Sequence, residues 1–291
     1  MKKIICTIIY NEQDELEEWI KHHLSIGFDS IYLFEDYNSI SHKDITDKYD
    51  EVYLSSFATM GITNTNSPQK QLNLYKEFLK CVNTSTLADW IAFIDIDEYI
   101  TFEDGYNLDT LLKEFENETA IYLCWKNFNA SGHLFKKPAD VTNKEYYTTE
   151  VDSFILHKNI ETLCKSIVNV KLCKELKSNH IAVDGVFTDH EPLKHRLQRC
   201  YDKAWINHYF YKSWEDWCYR MFIRGNMHNN LRTFDTWFEA NPEFIEQEET
   251  MLNEIRNKHL RSTYTISNKH KLISGGNIDI INKLIEERNG N

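Results

Sequence analysis

The chain has 291 residues, 42% of them hydrophobic, enough to bury a substantial core in one large domain or two small ones. A net charge of −12 excludes nucleic acid as a partner and an electrostatic hold on an anionic membrane, since both demand Lys/Arg-rich surfaces. Seven cysteines without a Cys-x-x-Cys pair fit reduced, buried thiols better than a zinc site or a disulfide framework.

Residues 3–10 are mostly apolar and read as a fully buried first strand. That run is too short for a signal peptide or a membrane span, and Asn11-Glu12 ends it. No other run is long enough to cross a bilayer, so the expected location is cytoplasmic, at most peripheral at the inner membrane. Residues 12–26 read as a helix with Leu16, Trp19, Ile20, His23 and Leu24 on one face and Gly27 as its stop. Residues 31–34 and 52–54 read as strands, 69–82 as a helix striped by Leu72, Tyr75, Leu79 and Val82, and 90–96 as a strand. Such alternation predicts an α/β fold, a parallel sheet covered on both faces. Further on, 120–125 reads as a strand and 126–133 as a polar loop. A helix starts at Ser213, its N-cap, with Asp216 at the third helical position, and another covers 242–260. Without a Pro- or Gly-rich linker, one compact unit is expected: a domain over 1–225 and a helical extension over 226–291 packed on it.

The polar residues of interest fall where strands end. Asn11 and Glu12 follow the first strand, Asp36 the second, and Asp95 and Asp97 the fourth. In open α/β sheets, ligands bind outside the carboxyl ends of the strands. Strand periodicity points Asp95 and Asp97 to the same side, where two carboxylates repel unless a cation sits between them. Hard oxygen ligands suit Mg²⁺ or Mn²⁺, and either metal suits a diphosphate. Glu98 reads equally as a supporting partner or as a helix start. His208 could complete a carboxylate metal site, donate to a phosphate, or simply pack. Lys165 could neutralise a departing diphosphate or be solvated. No G-x-x-x-x-G-K-[ST], G-x-G-x-x-G or G-x-S-x-G motif occurs, and nine glycines are too few for a phosphate-cradling loop.

Several motifs in order carry a resemblance. They are Ile8 to Glu12, Leu16-x-x-Trp19, His22-His23-Leu24 with Gly27, and the Asp95-x-Asp97-Glu98 segment. Trp125-x-x-Phe128 with Gly132-His133, Lys165-Ser166-Ile167, Asn207-His208-Tyr209 and Lys212-Ser213-Trp214-Glu215 follow. Together they resemble family 2-like glycosyltransferases of the GT-A fold, and most of all glycosyltransferase family 92 and its bacterial relatives. The resemblance implies a GT-A, Rossmann-like α/β fold with C-terminal helices. It also implies a nucleotide-sugar donor, UDP-linked by expectation, Mn²⁺ or Mg²⁺, and inversion at the anomeric carbon. Carried over by position, Asp95, Asp97 and His208 would serve metal and diphosphate, and Lys165 the diphosphate. Asp36 would meet base or ribose, and Tyr10, Glu12 and Gln71 would line the donor pocket. Glu150 and Asp189 are the candidates for the catalytic base. Asn127-Phe128-Asn129 departs from the family's usual Phe-Gly loop, and 226–291 carries no match.

The function expected is therefore a metal-dependent glycosyltransferase acting on a glycan or lipid-linked glycan acceptor in bacterial surface polysaccharide synthesis. Two competitors share the fold. A non-catalytic nucleotide-sugar or glycan-binding protein would not need Asp95, Asp97 and His208 intact together. A nucleotidyltransferase would want a Gly-rich basic loop where this chain has the acidic stretch 10–15.

Overall fold

The computed structural model describes residues 1–37, 39–62, 69–151, 161, 163–193, 198–220 and 234–247. The chain divides into two compact units. The first comprises 1–127 and 152–208, the second 128–151 and 209 onward.

The first unit opens with β1 (Lys3–Ile9), α1 (Leu16–Ser25), β2 (Ser30–Glu35), α2 (Lys43–Thr46), β3 (Val52–Ser56), α3 (Lys70–Ser85) and β4 (Trp90–Phe93). Strands β3, β2, β1 and β4 lie side by side and parallel. This is the Rossmann-like α/β arrangement that the alternation predicts. β1 is buried at every position, as its unbroken apolar run requires. α1 starts four residues later than its apolar pattern suggests. It buries Leu16, Trp19, Ile20 and His23 and stops where Gly27 takes a φ of 106°. α3 buries Leu74, Tyr75, Phe78, Leu79 and Val82, and a core forms from these with Ile4, Cys6, Phe34, Ile91 and Phe93. Burial of each such aliphatic or Phe side chain contributes about 1.5–3 kcal/mol.

After β4 the sheet turns mixed. β5 (Glu98–Phe102) and α4 (Leu108–Glu114) were not legible as separate elements; Glu98 begins a strand rather than a helix. β6 (Ala120–Phe128), β8 (Cys164–Asn169), β9 (Val186–Phe187) and β10 (Ala204–His208) follow within this sheet. β8 runs antiparallel between β4 and β6. β10 runs parallel to β6 and antiparallel to β5. β9 lies parallel beside β6. Among the described residues, no helix is long and apolar enough to cross a membrane.

The second unit holds α5 (Asn143–Tyr146), β7 (Glu150–Val151), α6 (Trp214–Tyr219) and α7 (Phe234–Ala240). Its core is aromatic, built on Trp214, Trp217 and Trp237 with Ala130 and Tyr211. Ser213 caps α6, its hydroxyl accepting from the Asp216 N–H at 3.1 Å, as the sequence predicts. The helix expected over 242–260 begins instead as a 3₁₀ segment, Pro242–Gln247, and the rest of it lies outside the described residues.

α1 is locked to β5 by polar contacts as well as packing. Trp19 Nε1 donates to the Glu98 carbonyl at 2.9 Å. His23 is fully buried; its Nδ1 donates to the Trp19 carbonyl at 2.9 Å and its Nε2 accepts from the Ile100 N–H at 3.4 Å. Burial first, then neighbouring His22, push its pKa well below the ordinary histidine range. The folded pKa thus lies below the unfolded value, so on acidification the unfolded chain takes the proton first. The stability is complete above about pH 6.5 and falls as pH drops, with a slope approaching about 1.4 kcal/mol per pH unit. Urea denaturation between pH 7.5 and 5 should show this loss. His23→Asn, which keeps the donor to Trp19, should flatten the slope by about one proton. Parallel slopes for the two proteins would remove His23 as its source.

Candidate functional site

The carboxyl ends of β1, β2 and β4 gather Tyr10, Glu12, Asp36 and Asp95 at one edge of the sheet. Each side chain there is held by a specific neighbour. The Glu12 N–H donates to Nε2 of buried His42 at 2.9 Å, and His42 Nδ1 meets Glu35 Oε1 at 2.8 Å. This histidine therefore ties the end of β1 to the end of β2. The buried Asp36 accepts from the Tyr37 N–H at 2.8 Å and pairs with Lys70. The next residue, Gln71, donates to Asp95 Oδ1 at 2.9 Å and to the Tyr75 hydroxyl at 3.0 Å. The first turn of α3 thus reaches both strand ends at once.

Past β4 the chain makes a tight turn. The Glu98 N–H donates to the Asp95 carbonyl at 3.1 Å, and the Asp95 N–H donates to Glu98 Oε2 at 3.0 Å. Lys165, on β8, is 1% exposed and lies between these carboxylates, 2.7 Å from Asp95 Oδ2 and 3.6 Å from Glu98 Oε1. Burial alone would lower its pKa; Asp95 and then Glu98 override this and hold it up at about 12. The charge on Lys165 is matched by Asp95. Burial pushes the Glu98 carboxyl well above the usual carboxylate range; Lys165 opposes the rise, and Asp95 and Asp97 add to it.

The register of β10 completes the site. His208 lies opposite Glu98 on β5 and beside Asn127 on β6. His208 Nδ1 donates to Asn127 Oδ1 at 2.9 Å, which turns the ring so that Nε2 faces Asp97 Oδ1, 3.7 Å away. One ligand atom each from Asp97, Glu98 and His208 lie within 4.8 Å of one another. Glu98 Oε1 is buried and accepts no hydrogen bond. Two carboxylates and an imidazole with its second nitrogen fixed make a suitable donor set for a divalent cation.

Of the residues expected to bind metal, Asp97 and His208 come together, and Glu98 joins them. Asp95 instead has Lys165 and Gln71 as partners. Asp189 is not brought there. It follows β9 and accepts from the Glu191 N–H at 3.3 Å, and the carbonyl of neighbouring Thr188 accepts from Lys203, just before β10. His208 is the last residue of β10, roughly 16 Å further along at the usual strand rise. Glu150 is exposed at the start of β7, in the second unit.

Sequence reasoning missed His42, Lys70, Asn127, Asn179 and His180. The last two sit in a turn whose ends pair, Leu176 with Ala182. Asn179 Nδ2 donates to Gln71 Oε1 at 2.8 Å. The His180 ring packs edge-on against Trp125, whose own ring lies 4.2 Å from that of His208. Burial, then the Lys165 ammonium, lower the His180 pKa to about 3, against the pull of Asp95. No sequence spacing links these positions to residues 95–98; only the Asn-His dipeptide was visible.

A family model described as glycosyltransferase family 92 matches residues 4–265. A glycosyltransferase family 92 protein of Ricinus communis is 25% identical over 221 residues, covering 72% of this chain and 36% of its own. One of Oryza sativa subsp. japonica is 23% identical over 218 residues, covering 72% and 33%. The chain thus spans about a third of the length of these curated relatives. Among solved structures, a 4-diphosphocytidyl-2C-methyl-D-erythritol synthase aligns over 60% of this chain and 76% of its own, with 12% identity and a TM-score of 0.34. HddC from Yersinia pseudotuberculosis aligns over 64% and 88%, with 10% identity and a TM-score of 0.36.

Lys165 is buried, but the side chain of its nearer partner Asp95 is 38% exposed and can regain water, so losing the ammonium costs about 1.5–3 kcal/mol, the worth of a hydrogen bond to a charged group. Lys165→Met should therefore lower the unfolding free energy by about that amount in urea denaturation at pH 7. A loss below about 1 kcal/mol, the worth of an exposed pair, would mean that Lys165 does not carry the carboxylates.

Proposed function

Because the chain belongs to glycosyltransferase family 92, we propose that it transfers a sugar from a nucleoside diphosphate donor, UDP-linked, to a glycan acceptor. The observation that carries this reading is the Asp97, Glu98 and His208 cluster at the carboxyl edge of the sheet, with a buried Glu98 oxygen that accepts no hydrogen bond among the described residues. In this reading those three residues hold Mn²⁺ or Mg²⁺. The bound cation supplies positive charge to the diphosphate as it leaves.

The chain's own side chains do the rest. Lys165 and Gln71 fix both oxygens of Asp95, so Asp95 stands as an oriented carboxylate able to accept from a hydroxyl of the donor. Asn127 fixes the His208 tautomer. Tyr10, Glu12 and Asp36 serve the nucleoside end, with Glu12 steadied by His42 and Asp36 by Lys70. Inverting transfer needs a carboxylate to take the proton of the acceptor hydroxyl. Glu150 and Asp189 are the two candidates for that task. A role in surface polysaccharide assembly fits a glycan acceptor.

Calorimetry with UDP, ADP, GDP and CDP in the presence and absence of Mn²⁺ tests the donor. UDP should bind best, and only with metal. Asp97→Asn preserves size and removes charge, so it should keep the thermal midpoint. Loss of a metal's supporting partner costs about tenfold to a hundredfold, and loss of a ligand should cost at least as much in Mn²⁺-dependent UDP affinity. Equal affinity for all four nucleotides would count against the donor assignment. Unaltered Mn²⁺ dependence in Asp97→Asn would end the metal assignment.

A further inference from the structure

His180 stands apart from the groups that the proposed reaction already uses. It lies in the 177–182 turn, and that turn is built rather than slack. The Lys177 N–H donates to the Ile181 carbonyl at 2.9 Å. Ser178 Oγ accepts from the His180 N–H at 3.1 Å. Ser166, next to Lys165 on β8, clasps the turn from below. Its hydroxyl donates to the His180 carbonyl at 2.8 Å and accepts from the Ala182 N–H at 3.2 Å. Asn179 then plugs into Gln71 and, through it, into Asp95.

The imidazole is oriented as firmly as the backbone. Nδ1 faces the Cys164 carbonyl at 3.2 Å, and a carbonyl only accepts, so the ring proton sits on Nδ1. Nε2 therefore carries the lone pair. It has no protein partner among the described residues, and the ring is only partly buried. The Trp125 ring packs against both this ring and that of His208. A lone pair repels phosphate oxygens and pairs with an O–H or N–H donor. Nε2 is also absent from the set of ligand atoms formed by Asp97, Glu98 and His208. Two sets of hydroxyls flank the diphosphate of a nucleotide sugar; those of the ribose belong, in the reading above, to the Tyr10, Glu12 and Asp36 end, which leaves those of the sugar for Nε2.

The geometry points to His180 as a specificity-determining contact for the transferred sugar, its Nε2 accepting a hydrogen bond from one sugar hydroxyl. This rests on the nucleotide-sugar reading given above, and the test separates the two.

Calorimetry with Mn²⁺ is run with UDP and with UDP-glucose, UDP-galactose and UDP-N-acetylglucosamine on three proteins. Binding of UDP to the wild-type protein tests the donor reading alone. His180→Asn retains an amide donor for the Cys164 carbonyl but has nothing at the Nε2 position. It should weaken the preferred UDP-sugar by about tenfold, the worth of one hydrogen bond, and leave UDP affinity unchanged. His180→Gln extends an amide oxygen to the Nε2 position and should recover most of that affinity. A purely structural histidine predicts the opposite pattern, with UDP and UDP-sugar weakened together and a lowered thermal midpoint. That pattern, or a His180→Asn protein that binds the UDP-sugar as the wild type does, overturns the assignment. If His180→Asn does not fold, His180→Gln decides alone: UDP-sugar affinity within about threefold of wild type supports the contact, and a tenfold loss shared with UDP overturns it.

Discussion

Carboxylates crowd one edge of this sheet, and their mutual repulsion is the constraint on which the rest of the site depends. Asp36, Asp95, Asp97 and Glu98 all follow or begin strands at that edge. Each buried or half-buried carboxylate needs a positive or hydrogen-bonding partner to stay ionised. The protein meets part of that need from within. Lys70 pairs with Asp36, and Lys165 pairs with Asp95. Glu98 is only partly served, since Lys165 lies closer to Asp95 and the second Glu98 oxygen accepts nothing. Asp97 and His208 share the remaining space with it. It is at this point that the metal proposed above would sit.

The lysines also tie together the elements around the site. A buried ammonium tolerates little movement, because each shift away from its carboxylate exposes an unpaired charge. Lys165 enters from β8, antiparallel to β4, so the strand carrying the cation and the strand leading to Asp95 are zipped together. Lys70 and Gln71 enter from the first turn of α3, whose apolar stripe is set in the core beneath. His42 fastens the loop after β2 to the start of the β1–α1 connection. Trp19 and His23 of α1 hold β5 from the other side, directly behind Glu98. Core packing and site geometry are therefore coupled: the helices that bury the sheet also carry the polar contacts that aim its carboxylates.

The sequence by itself determined the α/β class, the parallel sheet of the first half and the edge at which the candidate residues gather. These follow from local patterns: alternating strand and helix periods, and polar residues placed just after apolar runs. It also singled out Asp95, Asp97, Lys165 and His208, since residue type and motif spacing are visible without a fold. Only the tertiary structure decided who partners whom. Asp95 and Asp97 look equivalent in an i, i+2 pair, yet one faces Lys165 and the other His208. Strand β10 brings His208 beside Glu98 across more than a hundred residues, through a register that no local pattern encodes. The 3₁₀ segment at Pro242–Gln247 was misread as helix because end charges suit either geometry. His180 and Asn179 were invisible for the same reason as β10. A turn reveals its purpose only when the sheet behind it fixes what it touches.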